Sequence, residues 1–481
     1  MKNTKLIELL KAFSKQEIKE FEKFVASPYF SRGRDLLPFY KILLKYYPRF
    51  ENSDFTYEKI YRKLHPKVKY NKPSSENLLR VMSSELVKLA EEYLTYENLK
   101  SDRLQSRISL IEVYVTRNQK NLYSKLYSKT QKDLNNLSDG FTSKYFLNMY
   151  FFKMFEVMFD IRSNETFRST LESQTALLNF FFLCAFCFID NSHKNKISFN
   201  VDTKDDLIEQ FMRSFDFKNF TSYLNKNKSI KKVDKEIFEL CFYSLIHSLD
   251  RDNMIYISNI ERLFYKNRYL FEDNHKLSFY FLLLPAYDRN NDKEKLYILY
   301  KNILHDKIFE PGKNLMPFRL YFNIIRLFAE RNPEEAEKFT LKFTDSLNTD
   351  KKKSFYNFSF ALLEFNRKNY GKSLEYISKV EIVFFYLKYY TKILFLQIFY
   401  ELNYTEQAIS MIDSFKHFLK KNQYVPDGHR VNYEKFVDCY KTLLNIKMAR
   451  NKSGLKILKK NIESEGILFY MDWFLEKINE F

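Results

Sequence analysis

Residues Phe355–Val380 read FYNFSFALLEFNRKNYGKSLEYISKV, and residues Tyr389–Ser414 read YYTKILFLQIFYELNYTEQAISMIDS. Set 34 positions apart, they coincide at Tyr356 and Tyr390, Leu362 and Leu396, Phe365 and Phe399, Asn369 and Asn403, and Tyr370 and Tyr404. A period of this length belongs to helix–turn–helix arrays, whose units bury their apolar faces only by stacking on neighbours. In the first unit Phe355, Phe358, Leu362 and Phe365 step by 3, 4 and 3, one stripe of a helix. Asn369-Tyr370-Gly371 reads as the turn, with Gly371 available for a positive φ. Leu374, Ile377 and Val380 continue on a shorter second helix. The next unit runs Tyr390, Leu394 and Ile398, turns at Asn403-Tyr404-Thr405, and resumes with Ala408, Ile412, Phe415 and Leu419.

This stretch of roughly 70 residues resembles tetratricopeptide repeats. Phe365 and Phe399 stand at the large aromatic position of the first helix, and Ala408 at the small position of the second. Leu362 and Leu396 depart from a usually small position, Leu374 stands for the second-helix Ala, and no Pro closes either unit. The resemblance implies a right-handed α-solenoid over 231–481, preceded by a helical amino-terminal domain (1–100) and a helical middle region (101–230).

Composition agrees with an all-α chain. Only 7 Gly and 10 Pro occur in 481 residues, too few turn-formers for a many-stranded protein. The 50 Phe and 36 Tyr are expected mainly in packing. Ser14 and Glu17 form a capping box, with Phe13 and Ile18 as its hydrophobic staple. Leu79, Met82, Leu86, Leu89, Tyr93 and Tyr96 mark a long helix with one apolar seam, read as intramolecular packing. Breaks fall near Asn118, Asp139-Gly140 and Ser163-Asn164, and Thr203 with Asp206 suggests a helix start. The stretch 225–235, rich in Lys and Asn, reads as an exposed connection and a domain boundary. Beyond it, turns fall near Leu249-Asp250, Asn290-Asn291, Pro311-Gly312, Asn332, Asn369, Asn403, Pro426-Asp427-Gly428 and Asn451. Asn332-Pro333-Glu334-Glu335 starts a helix with a cap, a proline and two dipole-facing acids.

Glu8 and Lys11 interrupt any signal-peptide run, and Ala176–Ile189 is too short to span a bilayer. Four cysteines make no disulfide framework. A cytoplasmic protein without a membrane anchor is expected. Motifs of catalysis are missing: no phosphate-cradling loop, no G-x-S-x-G, no H-E-x-x-H. Cys184 and Cys187 form one C-x-x-C without nearby bases and read as buried core thiols, with no metal or cofactor site. Arg268 and His275 resemble the Arg–His spacing of helical RNases of the HEPN group, but Tyr269 replaces the usual polar residue, and capping explains the pair.

The formal net charge of +19 would attract polyanions. Residues 1–100 hold 20 Lys+Arg against 13 Asp+Glu, a surplus of +7. The surplus is densest at Lys59, Arg62, Lys63, Lys67, Lys69 and Lys72, with Tyr61 and Tyr70 interleaved. Such a patch suits phosphate contacts with aromatic stacking on bases. The expected function is a non-catalytic scaffold or adaptor that binds another protein or an acidic peptide segment. A nucleic-acid-binding protein using the basic patch is the alternative. In a solenoid the first helices of successive pairs line a groove. Tyr356, Tyr389 and Lys392 are the groove residues expected to face a partner, while Phe358, Leu362, Phe365, Leu394 and Ile398 supply the core.

Overall fold

Ser14 accepts from the backbone N–H of Glu17, whose carboxylate accepts from the backbone of Ser14, so the expected capping box closes at the second helix. The computed structural model describes residues 3–31, 33–135, 142–162, 171–199, 206–251, 253–289, 292–310, 314–347, 351–381, 385–421, 427–449, 453–464 and 470–481. The breaks expected at Asp139-Gly140 and Ser163-Asn164, the start at Thr203, and the turns at Asn290-Asn291, Pro311-Gly312 and Asn451 lie outside these residues, as does Pro426.

The chain forms helices α1 (Lys5–Ala12), α2 (Lys15–Val25), α3 (Leu37–Leu44), α4 (Tyr57–Leu64), α5 (Lys72–Ser101), α6 (Arg103–Thr116), α7 (Lys120–Asn135) and α8 (Ser143–Arg162). There follow α9 (Leu171–Phe199), α10 (Leu207–Ser214), α11 (Phe217–Lys226), α12 (Lys232–Leu249), α13 (Ile257–Asn267), α14 (Asp273–Arg289), α15 (Lys293–His305) and α16 (Phe318–Arg331). The last are α17 (Pro333–Phe343), α18 (Lys352–Asn366), α19 (Tyr370–Ile377), α20 (Phe385–Glu401), α21 (Thr405–Lys421), α22 (Asp427–Ala449), α23 (Ser453–Ser464) and α24 (Met471–Asn479). No strand occurs among the described residues, and one isolated bridge joins Met316 to Leu347. The protein is all-α.

Two compact units share the chain: 1–137 with 151–168, and 138–150 with 169–481. The divisions expected at 100 and 230 do not coincide with this split. Asp102 ends α5 and at once caps α6, accepting from Gln105 N–H at 2.8 Å, so no linker stands there. At 230, Ile230 is buried and α12 packs along α9, both in the second unit. In the first unit the α5 seam closes on α1–α4. Tyr93 sits among Phe13, Phe21 and Phe24, with ring centroids 5.7, 5.4 and 5.6 Å away. Tyr96, at the end of the expected seam, is exposed.

α9 is long and apolar enough over Leu171–His193 to cross a membrane, because the helix runs well past the expected stretch Ala176–Ile189. One side of it is core. Phe182 meets Phe238 of α12 edge-on at 4.7 Å, and Phe186 stacks on Phe279 of α14 at 4.9 Å. Asp190, buried near its end, holds Arg251 at 3.1 Å.

The two units of the quoted stretch form helical pairs, α18–α19 and α20–α21. Their closure corrects the expected register. The left-handed residues are Lys368 (φ 60°) and Asn403 (φ 58°), whereas Gly371 lies inside α19. After each, an N–H reaches five residues back: Asn369 to Glu364 O at 2.8 Å, and Tyr404 to Phe399 O at 2.9 Å. This is a Schellman closure, which satisfies carbonyls left free at the helix end. Asn118, with φ 53° and Gln119 N–H bonded to Tyr114 O, closes α6 onto α7 in the same way. Lys368 and Asn403 are 35 apart, so the pairs superpose at 35 and not at 34. With that shift the fully buried Ser373 and Ala408 become equivalent, and Ser373, not Leu374, fills the small position. Ala336, four residues after the Asn332 cap of α17, is equally buried. A small side chain here lets the second helix approach the first, and Ser373 Oγ donates to Ala361 O at 2.7 Å.

Partly exposed ion pairs link neighbouring helices along the second unit: Lys266–Glu236, Lys295–Glu261, Arg331–Glu294 and Arg367–Glu337. At such exposure each is worth about 0–1 kcal/mol, so buried packing holds the array. Ser373→Leu and Ala408→Leu are each expected to cost about 1–3 kcal/mol in denaturant unfolding by overpacking. The neighbouring exposed Ile409→Ser should stay within about 0.5 kcal/mol. Equal losses at all three positions would contradict a close-packed seat.

Candidate functional site

The expected groove residues do not form a free face. Tyr389 is buried, its ring 4.2 Å from that of Tyr433 by centroid. Lys392 is buried too, donating to Ser414 Oγ at 2.7 Å. Burial, with Lys388 nearby, holds its amine below the ordinary lysine value. The shift of 35 explains both positions. Tyr389 corresponds to buried Ser354, and Lys392 to buried Asn357, whose amide donates to Lys379 O at 3.2 Å. Ser414 and Lys379 are themselves 35 apart. Equivalent polar contacts thus tie the first helix of each pair to its second or the residues just after it, and Lys392 makes the one in the second pair. Tyr356 is half-buried, its ring 4.5 Å from Phe360.

The opening lies on the other side of the same helices, where Phe358, Leu362 and Leu394 had been assigned to the core alone. A shallow cleft with about 10 Å³ of enclosed space, room for one water, is lined by Phe322, Asn323 and Arg326 of α16, Phe358 and Leu362 of α18, and Tyr390, Leu394 and Gln397 of α20. Tyr470, just before α24, completes the wall. Each of α16, α18 and α20 is the first helix of its pair. Phe322 packs its ring against Tyr390 at 5.3 Å and edge-on to Phe358 at 5.0 Å.

Three polar features stand out in this apolar setting. Arg326 makes no ion pair with any described carboxylate. It donates to the Tyr470 hydroxyl, and Tyr300, Tyr390 and the exposed Asp288 lie near enough to act on its charge. A guanidinium stays charged at any working pH. Gln397 is only 3% exposed and brings an amide to the cleft wall. Tyr470 holds a left-handed backbone (φ 66°), uncommon for a bulky residue and a form of local strain. Burial pushes its hydroxyl up to about 12, with Arg326 pulling the other way. Asn323 donates to the Tyr300 hydroxyl.

In the basic patch the charge is partly matched. Lys59 pairs with Asp54, Arg62 binds Glu58 through two nitrogens at 3.1 and 2.7 Å, and Lys63 donates to Tyr46 Oη at 2.9 Å. Lys67, Lys69 and Lys72 are exposed. The interleaved aromatics are not open platforms. Tyr61 is buried edge-on to Tyr70 at 5.8 Å, and Tyr70 donates to Glu76 at 3.2 Å.

Cys184 and Cys187 are half-buried rather than buried, while Cys241 is enclosed. Burial raises the Cys184 thiol, against the pull of Ser143. Arg268 and His275 do not converge. Arg268 donates to Asn302 at 3.1 Å and Tyr280 at 3.3 Å, whereas His275 Nε2 lies 2.9 Å from Ser143 Oγ and its Nδ1 3.0 Å from Glu272. This Ser–His–Glu alignment escaped sequence reading because Ser143 stands 132 residues from His275. Its Nδ1 lacks hydrogen-bond geometry toward Glu272, and neither cleft described here reaches Ser143.

A second cleft, also with about 10 Å³ of enclosed space, is lined by Asp190, His247, Ser248, Arg251 and Arg289 over the apolar Phe281, Leu282, Pro285 and Ala286. Its arginines are engaged within the chain: Arg251 holds Asp190, and Arg289 donates to Arg251 O at 2.7 Å. His247 Nδ1 donates to Asn253 O at 2.9 Å. Comparison with known protein families, characterised proteins and solved structures finds no match to this chain.

Burial, reinforced by Arg251 and Arg289 and opposed by the Asn253 carbonyl and Asp190, lowers His247 below its ordinary 6.5. The unfolded chain therefore takes up a proton near pH 6.5 that the folded chain refuses. The associated stability is complete above that pH and is lost as pH falls toward the folded value. Unfolding free energy should decline as pH falls below 6.5, and His247→Gln should flatten that slope. An unchanged slope in the variant would contradict the assignment.

Proposed function

We propose that the protein is a non-catalytic binding module, a scaffold that holds a segment of another protein on the face built by α16, α18 and α20. The observation that carries this reading is the cleft itself. Three consecutive first helices set an aromatic-lined depression side by side, a surface across which a segment can lie. Sites of this kind combine an apolar lining with a few placed polar groups, here Arg326, Gln397 and Tyr470. The pairs are tied internally by Ser373, Asn357 and Lys392, so the face is presented on a braced support. A braced face limits the entropy lost on association.

The test is a displayed peptide library selected on the full chain, with the affinities of selected peptides measured in solution. Leu362→Trp should fill the cleft and weaken those peptides at least about tenfold, with helical content retained. Peptides that bind the variant and the unaltered chain equally would place recognition elsewhere.

A further inference from the structure

Independently of the face just described, we propose that the α4–α5 corner of the first unit docks on double-stranded DNA. Its exposed lysines meet the phosphates, and the outer stripe of α5 turns toward the major groove. The carboxylates flanking this corner in the sequence are already engaged: Asp54 with Lys59, Glu58 with Arg62, and Glu76 with the Tyr70 hydroxyl and Arg80. Lys67, Lys69 and Lys72 follow on the connection and the start of α5, all exposed and in no ion pair among the described residues. Lys72 stands in the first turn of α5, which holds no acid. A positive charge there works against the helix dipole, so α5 itself gains nothing from it.

The same helix carries a second, independent feature. Opposite its buried residues Leu79, Met82, Leu86 and Leu89, α5 presents Asn77, Val81, Ser84 and Lys88, spaced 4, 3 and 4 and all exposed. An α-helix fits the major groove of B-DNA, where an amide suits adenine, a hydroxyl suits any base and a methyl group suits thymine. The phosphate contacts would come from lysines, compact point charges that position a protein without reading sequence. Other nucleic acids fit less well. Single strands are held on open aromatic platforms, whereas Tyr61 and Tyr70 pack edge-on against each other at 5.8 Å. The major groove of A-form RNA is too deep and narrow for side chains to read.

The test is fluorescence anisotropy of a short labelled DNA duplex, titrated with the full chain over a range of salt. The duplex should bind more tightly than the matching RNA duplex or either single strand. Lys67→Gln, Lys69→Gln and Lys72→Gln together should weaken binding and lower the slope of log affinity against log salt by about 2–3, since each phosphate contact adds about 0.9. Lys218→Gln, Lys226→Gln and Lys228→Gln together remove the same charge from exposed positions of the second unit and should leave that slope unchanged. Equal losses in the two triple variants would overturn the proposal, because only the overall charge of the chain would then be at work. So would failure of the unaltered chain to bind the duplex at low salt, or equal or tighter binding of RNA duplex or single strands. Binding to phosphatidylserine vesicles in place of the duplex, lost with the same three lysines, would assign the corner to a membrane surface and overturn it as well.

Discussion

The arrangement depends on how a first helix hands over to its second. A left-handed residue and an N–H that reaches five residues back reverse the chain within three residues, at Lys368 and again at Asn403. Such a short reversal leaves the second helix no choice but to run back along the first. The small side chains Ser373 and Ala408 then set how close the two can come. Once the pairs are closed in this way, α16, α18 and α20 are left side by side, and the cleft is what remains between them.

Much of this was legible in the sequence, though one residue out of register. Apolar stripes return every three or four positions, so two helices can be slid by one and still show coincidences. The match of Asn369 with Asn403 encouraged a shift of 34, whereas the backbone equates Lys368 with Asn403. Left-handed geometry is common for Asn and rarer for Lys, which is why the first turn was read around Gly371 instead. The slip has a consequence for function. At 34 Lys392 is set against Phe358 and not against Asn357, so its part in tying the pair goes unseen.

The cleft residues were harder to see. Phe358, Leu362 and Leu394 were recognised as inward-facing, and they are buried; an apolar stripe cannot say whether its neighbours close over it completely. Arg326 and Gln397 lie on different pairs, 71 positions apart in number, and only packing brings them to one wall. An arginine within an amphipathic helix reads as solvated until its surroundings are known. The basic patch shows the opposite error. Its charges were plain in the sequence, but Asp54 and Glu58 lie just before the run and match Lys59 and Arg62.

The central claim is that the face built by α16, α18 and α20 receives a segment of another protein. A crystal structure of the full chain with a selected peptide tests it most directly. The account expects the peptide to lie across Phe322, Phe358 and Tyr390. A peptide seated on another face of the chain would contradict it.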